Sequence, residues 1–314
     1  MSKKRPNRKQ HQGLELARGR VIERLGPVYT LSTSDGVITA VARGRGKTAV
    51  VGDFVFFDPT AGTELAPGLV TQVEPRRNQL RRADALGRKP QSIAANVSLV
   101  CVVVAQEPPL REGLIDRYIV SAKTEGIDIA LILNKVDLLD IASREEMEGR
   151  LRAFASSCTS IVRVSSTTGE GFDELVKLLA TNTSVLVGHS GVGKTSILNR
   201  LLPDYAGRTR ALSTASLRGQ HTTSTSHLRS LSTGGEIIDT PGIRSFGLWG
   251  VDRKTVSIYF PGFEPFIGQC RFNDCSHIHE PKCAVRAAID DGQIQEDRFE
   301  DYKQLWHSIE EGEG

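Results

Sequence analysis

The stretch Gly188-His189-Ser190-Gly191-Val192-Gly193-Lys194-Thr195 decides the fold of this 314-residue chain. It has the form G-x-x-x-x-G-K-[ST], it follows the apolar run Val185-Leu186-Val187, and it leads into a helix-like segment. Between a strand and a helix, such glycines let backbone N–H groups converge on a phosphate, and the lysine reaches the β- and γ-phosphate oxygens. The stretch therefore predicts a P-loop, with the residues from Gly188 to Thr195 on a nucleotide.

Strand-like and helix-like segments alternate on both sides of this loop. Apolar runs predict strands at 97–105, 127–133, 160–164, 184–187 and 236–238, and helical periodicity predicts helices at 110–125, 143–157, 172–180 and 194–202. That alternation is typical of an α/β domain with a mostly parallel sheet. The loops that follow its strands are then able to converge on one site.

A second motif, Asn134-Lys135-Val136-Asp137, directly follows one of these predicted strands and has the form N-K-x-D. The carboxylate of Asp137 can accept hydrogen bonds from both N1–H and the N2 amino group of guanine, and adenine lacks that donor pair. Lys135 is expected to cover the base with its stem, and Asn134 to brace the P-loop. The motif therefore predicts a guanine nucleotide.

Two further segments have the form expected around the base and the phosphates. Ser165 and Ser166 follow a predicted strand, as a base-contacting loop should. Asp239-Thr240-Pro241-Gly242 also ends a strand, so that Asp239 can bind Mg²⁺ through water and Gly242 can offer its N–H to the γ-phosphate. The hydroxyl of Thr195 is expected to hold the same Mg²⁺ ion.

The polar segment between the P-loop and Asp239 contains Gly219-Gln220-His221-Thr222-Thr223. Either Thr222 or Thr223 can complete the Mg²⁺ shell when the γ-phosphate is present. The segment would then order and disorder with the nucleotide state. An ordinary loop rich in Ser and Thr is the alternative interpretation.

The order of the motifs is unusual, because ordinary GTPases carry the P-loop first and the base-reading motif near the end. Here Asn134 to Asp137 and the Ser165 loop precede Gly188. Such a permutation can leave the same strands in the same sheet, since the site needs spatial convergence and not chain order. It also means that the segment after Asp239 leads directly into the C-terminal part of the chain.

Three cysteines and a histidine lie within fourteen residues, in the pattern Cys270-x₄-Cys275-x-His277-x₅-Cys283. Four soft or borderline ligands describe a closed, tetrahedral structural zinc site. His279 is the alternative to His277 as the imidazole ligand. A polar, acidic helix is predicted to follow, with an apolar stripe that includes Phe299 and Tyr302 and serves packing.

The first part of the chain is different in character. Short β-type runs at 26–31, 37–41, 53–57 and 69–73 predict a small antiparallel barrel or sandwich, with the five-stranded OB-fold as one option. Residues 1–13 are basic and almost without aliphatic side chains, which predicts a disordered arm. The arginine-rich cluster from Arg76 to Pro90 is interpreted as a linker.

The formal net charge of +3 conceals an asymmetry. Residues 1–90 hold 17 Lys and Arg against eight Asp and Glu, whereas the remainder holds 23 against 29. The basic front end suggests a polyanionic partner, either nucleic acid or an anionic membrane. No stretch approaches the roughly 20 apolar residues that span a bilayer, and five cysteines are too few for a disulfide scaffold, so a cytoplasmic protein is expected.

In combination, these features closely resemble the RsgA (YjeQ/EngC) family of bacterial GTPases. The resemblance covers roughly residues 20 to 310 and rests on the permuted motif order, the Gly219 to Thr223 stretch, Pro241-Gly242-Ile243-Arg244-Ser245-Phe246-Gly247-Leu248, and the segment from Cys270 to Cys283. It implies a multidomain α/β protein with a basic arm at 1–18, an RNA-binding OB-fold at 19–82, a circularly permuted GTPase domain at 83–249, and a mostly helical zinc domain at 250–314.

The resemblance also implies a function. It points to a GTPase that acts late in assembly of the small (30S) ribosomal subunit, binds 16S rRNA near the decoding region, and is stimulated by that particle. Carried over residue by residue, the zinc ligands fall on Cys270, Cys275, His277 and Cys283. The nucleotide contacts fall on Asn134 to Asp137 and Gly188 to Ser196. One departure is Ser165-Ser166-Thr167, where Ser-Ala-Lys is the usual GTPase form.

The residue that orients the hydrolytic water is less obvious. Ile243 occupies the position where many GTPases carry a glutamine, and an aliphatic side chain cannot orient water. His221 is the candidate to do so, beside Lys194 and Thr195 as the other catalytic residues, and a plain structural histidine is the alternative. We expect a monomer that binds GTP, rRNA and no membrane; the competing hypothesis is an RNA-binding module in which GTP is a non-hydrolysed structural ligand.

Overall fold

The computed structural model of the chain describes residues 16–42, 49–83, 90–202, 226–239 and 251–309. These residues divide into two compact units, of which the first ends at Pro75 and the second begins at Arg76. The predicted basic arm lies outside the described residues except for its last few positions. None of the helices in the described part of the chain is long and apolar enough to cross a membrane.

The first unit is a closed barrel of five strands, β1 to β5: Ala17–Leu25, Val28–Thr33, Gly36–Ala42, Phe54–Asp58 and Gly68–Val73. The strand order is β1-β2-β3-β5-β4, and β4 returns to pair with β1. All neighbours are antiparallel except β3 and β5. This arrangement confirms the OB-fold among the options that the sequence left open. Its core contains Val21, Tyr29, Leu31, Val55 and Phe57.

The second unit begins with a hairpin, β6 (Gln79–Ala83) and β7 (Pro90–Ala95). The interpretation of this cluster as a linker was therefore wrong. The arginines made the segment look polar, although each strand of the hairpin has an apolar face that points inward. Leu80 on β6 and Ala94 on β7 are fully buried. Asn78, just before β6, joins the two ends of the hairpin, because its Nδ2 donates to the Val97 carbonyl oxygen and its Oδ1 accepts from the Val97 N–H.

Six strands, β8 to β13, form the sheet of the second unit: Leu99–Val104, Asp128–Leu133, Ser160–Arg163, Thr183–Val187, His227–Ser230 and Glu236–Asp239. Their order is β10-β9-β8-β11-β13-β12, parallel throughout except for β12. Four helices, α1 to α4, alternate with these strands: Glu112–Thr124, Ile141–Arg152, Phe172–Leu179 and Lys194–Leu201. The predicted parallel α/β domain is confirmed, and β12 is an added antiparallel strand.

Within residues 251–309 the structure has three α-helices: α5 (Arg253–Tyr259), α6 (Ala284–Asp290) and α7 (Glu296–His307). Their core is aromatic, since Phe260, Phe263 and Tyr302 are fully buried and their ring centroids lie 4.8 to 5.2 Å apart. The predicted packing role of the α7 stripe is confirmed, because Phe299 and Tyr302 belong to this cluster. We refer to residues 251–309 as the C-terminal module.

Candidate nucleotide site and candidate metal centre

The loops that carry the sequence motifs converge because of the sheet topology. Strands β9, β10, β11 and β13 are parallel to β8 or to one another, so their carboxyl ends lie at the same edge of the sheet. Asn134 follows β9, Ser165 follows β10, Gly188 follows β11, and Asp239 ends β13. Such an edge is where open α/β sheets bind ligands.

The glycines of the P-loop are required by contacts as well as by backbone conformation. Gly188 has a φ of 135°, and a Cβ atom there would lie 2.2 Å from the carbonyl oxygen of Val103 on β8. Gly193 has a φ of 96°, and its Cβ atom would lie 2.1 Å from Nδ2 of Asn134. The loop is therefore pressed against the neighbouring strand at one end and against the N-K-x-D motif at the other.

Lys194 begins α4, and its Nζ donates hydrogen bonds of 2.7 Å to the carbonyl oxygens of Gly188 and His189. The ammonium group is thus held within the concave side of the loop. Thr195 and Ser196 follow in the first turn of the helix with exposed side chains. A helix N-terminus that presents N–H groups, a lysine and hydroxyls is suited to a phosphate chain.

Asn134 joins three segments of the site. It is 1% exposed, its Nδ2 donates to the carbonyl oxygen of Val192 at 2.9 Å, and its Oδ1 accepts from the Ser166 N–H at 3.2 Å. One side chain therefore ties the end of β9 to the P-loop and to the loop after β10. The bracing of the P-loop expected from the sequence is present.

The neighbouring residues of the motif leave the base-reading groups accessible. Lys135 has a φ of 66°, and its Nζ donates to the carbonyl oxygen of Glu107 at 2.8 Å. Asp137 lies in a short 3₁₀ helix, Val136–Leu138, with an exposed side chain. A carboxylate at this position can accept the two guanine donors without first being displaced from a buried partner.

The loop after β10 is shaped by a buried serine. Ser165 is fully buried, and its Oγ accepts from the N–H groups of Thr167 and Thr168 at 3.2 and 3.0 Å. Gly171 closes the loop, since a Cβ atom there would lie 1.8 Å from the Arg163 carbonyl oxygen. The turn therefore has one defined conformation in which the Ser166 backbone faces Asn134.

Several predicted site residues lie outside the described residues: His221, Thr222, Thr223, Gly242 and Ile243. Asp239, at the last position of β13, is half-buried and pairs across the ladder with His227. The residues that the structure brings together are therefore those of the base-reading loops, the P-loop and the β13 terminus.

The candidate metal centre lies in the C-terminal module. One ligand atom from each of Cys270, Cys275, His277 and Cys283 lies within 4.8 Å of the others, and His279 is not part of this group. The Cys270 and Cys283 sulfurs are 3.8 Å apart, and Nδ1 of His277 is 3.5 and 3.3 Å from these two sulfurs. Zn–S bonds of about 2.3 Å and a Zn–N bond of about 2.0 Å at tetrahedral angles imply separations of about 3.8 and 3.5 Å. The donor set fits a tetrahedral metal.

The protonation chemistry of the cluster also favours a cation. Burial raises the pKa of Cys275 to about 12 and also raises the pKa of Cys283, so neither thiolate is stable there without a positive charge. Burial lowers the pKa of His277, which keeps the imidazole neutral and able to ligate. The Ser257 carbonyl accepts a hydrogen bond from this ring and fixes its orientation.

Sequence reasoning missed one surface of the barrel. Strand β1 carries Arg18 and Arg20, whose guanidinium carbons lie 4.2 and 5.0 Å from the ring centroid of Phe54 on β4. Arg18 also pairs with Glu74 in a bidentate geometry. The alternation of Arg18 and Arg20 with the buried Gly19 and Val21 was the available signal for this strand.

Comparison with known proteins gives three kinds of match. A protein-family model described as RsgA GTPase matches residues 73–249. The small ribosomal subunit biogenesis GTPase RsgA of Histophilus somni (strain 129Pt) is 41% identical over 269 residues, covering 84% of this chain and 76% of that protein. The RsgA of Photorhabdus laumondii subsp. laumondii is 37% identical over 314 residues, covering 98% of this chain and 89% of that protein.

Solved structures agree with these matches. The crystal structure of YjeQ from Thermotoga maritima has a TM-score of 0.75 at 28% sequence identity and covers 93% of this chain and 98% of that one. The crystal structure of YloQ, a circularly permuted GTPase, has a TM-score of 0.72 at 24% identity and covers 97% of this chain and 98% of that one. The second of these supports the fold alone.

Proposed function

Because this chain belongs to the RsgA family of GTPases, we propose that it hydrolyses GTP as a factor in late maturation of the small ribosomal subunit. Its relatives carry the name small ribosomal subunit biogenesis GTPase. The observation that carries the proposal is the side chain of Asn134, which ties the base-reading motif to the P-loop and to the Ser165 loop. The division into an RNA-binding domain, a GTPase domain and a zinc-binding domain is part of the same proposal.

Guanine recognition is assigned to the loops after β9 and β10. Asp137 accepts from guanine N1–H and N2, Lys135 covers one face of the base, and the Ser165-Ser166 backbone faces O6. The exposed Asp137 carboxylate and the turn held by Ser165 support these roles. ATP is rejected because adenine offers no matching donor pair.

The phosphates are assigned to the residues from Gly188 to Ser196. Thr195 and Asp239 would hold Mg²⁺, which when bound neutralises charge on the β- and γ-phosphates. Lys194 moves from its two carbonyl partners to the phosphate oxygens. His221 would orient the hydrolytic water, Thr222 or Thr223 would supply a further ligand to Mg²⁺, and the Gly242 N–H would donate to the γ-phosphate.

The C-terminal cluster is assigned to one structural zinc ion. Four protein ligands leave no open position, which is the arrangement of structural and not catalytic zinc sites. Residues around the cluster support this role, since the Tyr302 hydroxyl bonds the Ser276 carbonyl between two of the ligands. The ion therefore organises the C-terminal module and takes no part in hydrolysis.

The barrel is proposed to bind 16S rRNA near the decoding region. Arg18 and Arg20 stacked beside Phe54 combine positive charge with an aromatic face, which is how OB-folds hold nucleic acid. The basic first 90 residues add long-range attraction to phosphate. We place the protein in the cytoplasm as a monomer that works on the ribosomal particle.

The test is multiple-turnover phosphate release from GTP with and without purified small subunits. We expect slow release alone and faster release with small subunits, and no effect of large subunits. The Lys194→Ala variant should abolish release. A protein that binds GTP but never turns over, even with small subunits, would refute the enzymatic proposal and leave GTP as a structural ligand.

Co-sedimentation tests the partner separately, at a stated salt concentration. The chain should sediment with small subunits in the presence of a non-hydrolysable GTP analogue and be released with GDP. Arg18→Gln should weaken this association, whereas the matched control Arg163→Gln, on an exposed arginine paired with Glu148 in the second unit, should not. Equal binding to large subunits would contradict the assignment.

The His221→Ala variant should lower stimulated turnover without changing nucleotide affinity.

A further inference from the structure

Helix α1 has two functional faces. It packs on strands β8 and β9 of the sheet on one side, and on α5 and α7 of the C-terminal module on the other. Asp116 and Tyr118 are two positions apart, about 200° around the helix axis, and both are almost fully buried. The same helix therefore contacts both the nucleotide site and the C-terminal module through buried polar groups.

The face toward the C-terminal module is held by an ion pair. Arg298 of α7 donates to both carboxylate oxygens of Asp116, at 2.6 and 2.9 Å, and Asp116 is 0% exposed. The guanidinium carbon also lies 4.8 Å from the ring centroid of Phe154 and 4.9 Å from that of Phe260. A bidentate pair clamped between two rings fixes position as well as charge.

The opposite face reaches the P-loop. The N–H of Gly188 donates a hydrogen bond to the Tyr118 hydroxyl, and burial raises the pKa of that phenol. Tyr118 and Gly188 also line a small, mostly apolar cavity with His189 and Val192. A Cβ atom on Gly188 would lie 2.2 Å from the Val103 carbonyl oxygen, so the start of the P-loop also packs closely against β8.

We infer that Tyr118 is a positioning residue for the P-loop and that Arg298 sets its position through Asp116 and helix α1. The inference rests on the proposed function, because it concerns the same nucleotide site. If the P-loop is already ordered before the nucleotide binds, less of the binding free energy is spent on ordering the loop. The attachment of the C-terminal module to α1 therefore tunes nucleotide affinity.

The first experiment is a fluorescence titration of full-length, zinc-loaded protein with labelled GDP. Tyr118→Phe keeps the ring and removes only the hydroxyl, so GDP affinity should fall about three- to tenfold, as expected for one lost hydrogen bond. Tyr29→Phe is the matched control, because Tyr29 is equally buried but lies in the barrel. Unchanged affinity of Tyr118→Phe would overturn the inference.

The second experiment separates positioning from mere attachment of the module. Arg298→Lys keeps the charge but loses the bidentate geometry, and GDP affinity should fall about two- to fivefold. Glu264→Gln is the control, since Glu264 bonds Ser156 and Ser157 across the same junction without touching α1. Equal effects of the two substitutions on GDP affinity would overturn the inference.

A double-mutant cycle tests whether Arg298 acts through Tyr118. In the Tyr118→Phe background, Arg298→Lys should weaken GDP binding by less than twofold further. Fully additive effects would contradict the link through α1. Asp116→Asn should reproduce Arg298→Lys, and thermal melting confirms that each variant is folded. Failure of the wild-type protein to bind GDP would instead refute the proposed function.

Discussion

The side chain of Asn134 is the structural link on which the nucleotide site depends, so its truncation gives the sharpest prediction. Asn134→Ala removes the 2.9 Å hydrogen bond to the Val192 carbonyl and the 3.2 Å bond from the Ser166 N–H. Val192 is 3% exposed, so its carbonyl has little access to replacement water. Ser166 is half-buried, and water can partly satisfy its N–H.

The magnitude follows from these two environments. A lost hydrogen bond costs about 1 kcal/mol, and a carbonyl left buried without a partner costs about 1–3 kcal/mol. Adding one loss of each kind gives a total of about 2–4 kcal/mol. If the bound nucleotide has to restore the geometry of both loops, GDP affinity falls about 30- to 800-fold.

The assay is equilibrium titration with fluorescent GDP, followed by thermal melting without nucleotide. Asn199→Ala is the matched control, because Asn199 is an exposed asparagine on α4, the helix that follows the P-loop. It should bind GDP like the wild type. A folded Asn134→Ala protein whose GDP affinity stays within threefold of the wild type would refute the reasoning, since the two loops would then be organised without this side chain.

Three further predictions follow from individual contacts. Gly193→Ala should abolish GDP binding, measured by titration, because its Cβ would lie 2.1 Å from Asn134 Nδ2. The control Gly149→Ala, whose Cβ would meet only open space on α2, should bind GDP normally and raise the melting temperature slightly. Asp137→Ala should reduce the preference for GTP over ATP by about 100-fold or more in competition binding, and an unchanged ratio would exclude Asp137 from base recognition. Chelation of the metal should release about one zinc per chain, measured with a zinc dye. It should lower the free energy of unfolding by about 3 kcal/mol, relative to protein in free zinc at 100 times the dissociation constant. An unchanged melting temperature would argue against a structural role for the metal.

The nucleotide loops were predictable from the sequence because their chemistry is local. In each motif, a few adjacent residues both define the turn and carry the functional groups, as with Gly188 and Lys194 or with Asn134 and Asp137. Parallel topology then brings the loops together, since strands that end at one sheet edge need no further information to converge. The apolar run that became β8, buried at every position, revealed that topology directly.

The elements that sequence reasoning missed share one cause. Strand β1 and hairpin β6–β7 are rich in arginine, and the charged side chains hide an alternation whose inward positions are Val21 in one case and Leu80 in the other. Charge along a strand reports its outer face and says nothing about its inner face. Whether β1 closes a barrel depends on its pairing with β4, which is a long-range fact that no local pattern contains.

The contact between Asp116 and Arg298 illustrates a stronger limit on what can be predicted from the sequence. The two residues are 182 positions apart, and neither belongs to a motif. An aspartate in a helix normally indicates a solvated face, and only the approach of α7 makes burial of this carboxylate tolerable, because an unpaired buried charge would cost several kcal/mol. Such a pair becomes visible only when the tertiary structure is known.

The permuted chain order gives these contacts a common consequence. In a chain that began with the P-loop, α1 would come after the switch segments, but here it precedes the P-loop strand and lies beside the C-terminal module. The module is linked to the nucleotide domain covalently after β13 and non-covalently through α1. One attachment follows Asp239 at the end of β13, and the other reaches Gly188, at the end of the neighbouring strand β11, through Tyr118. A partner that moves the C-terminal module therefore acts on both the P-loop and the β13 terminus, and a change at the nucleotide acts back on the module with the same free energy.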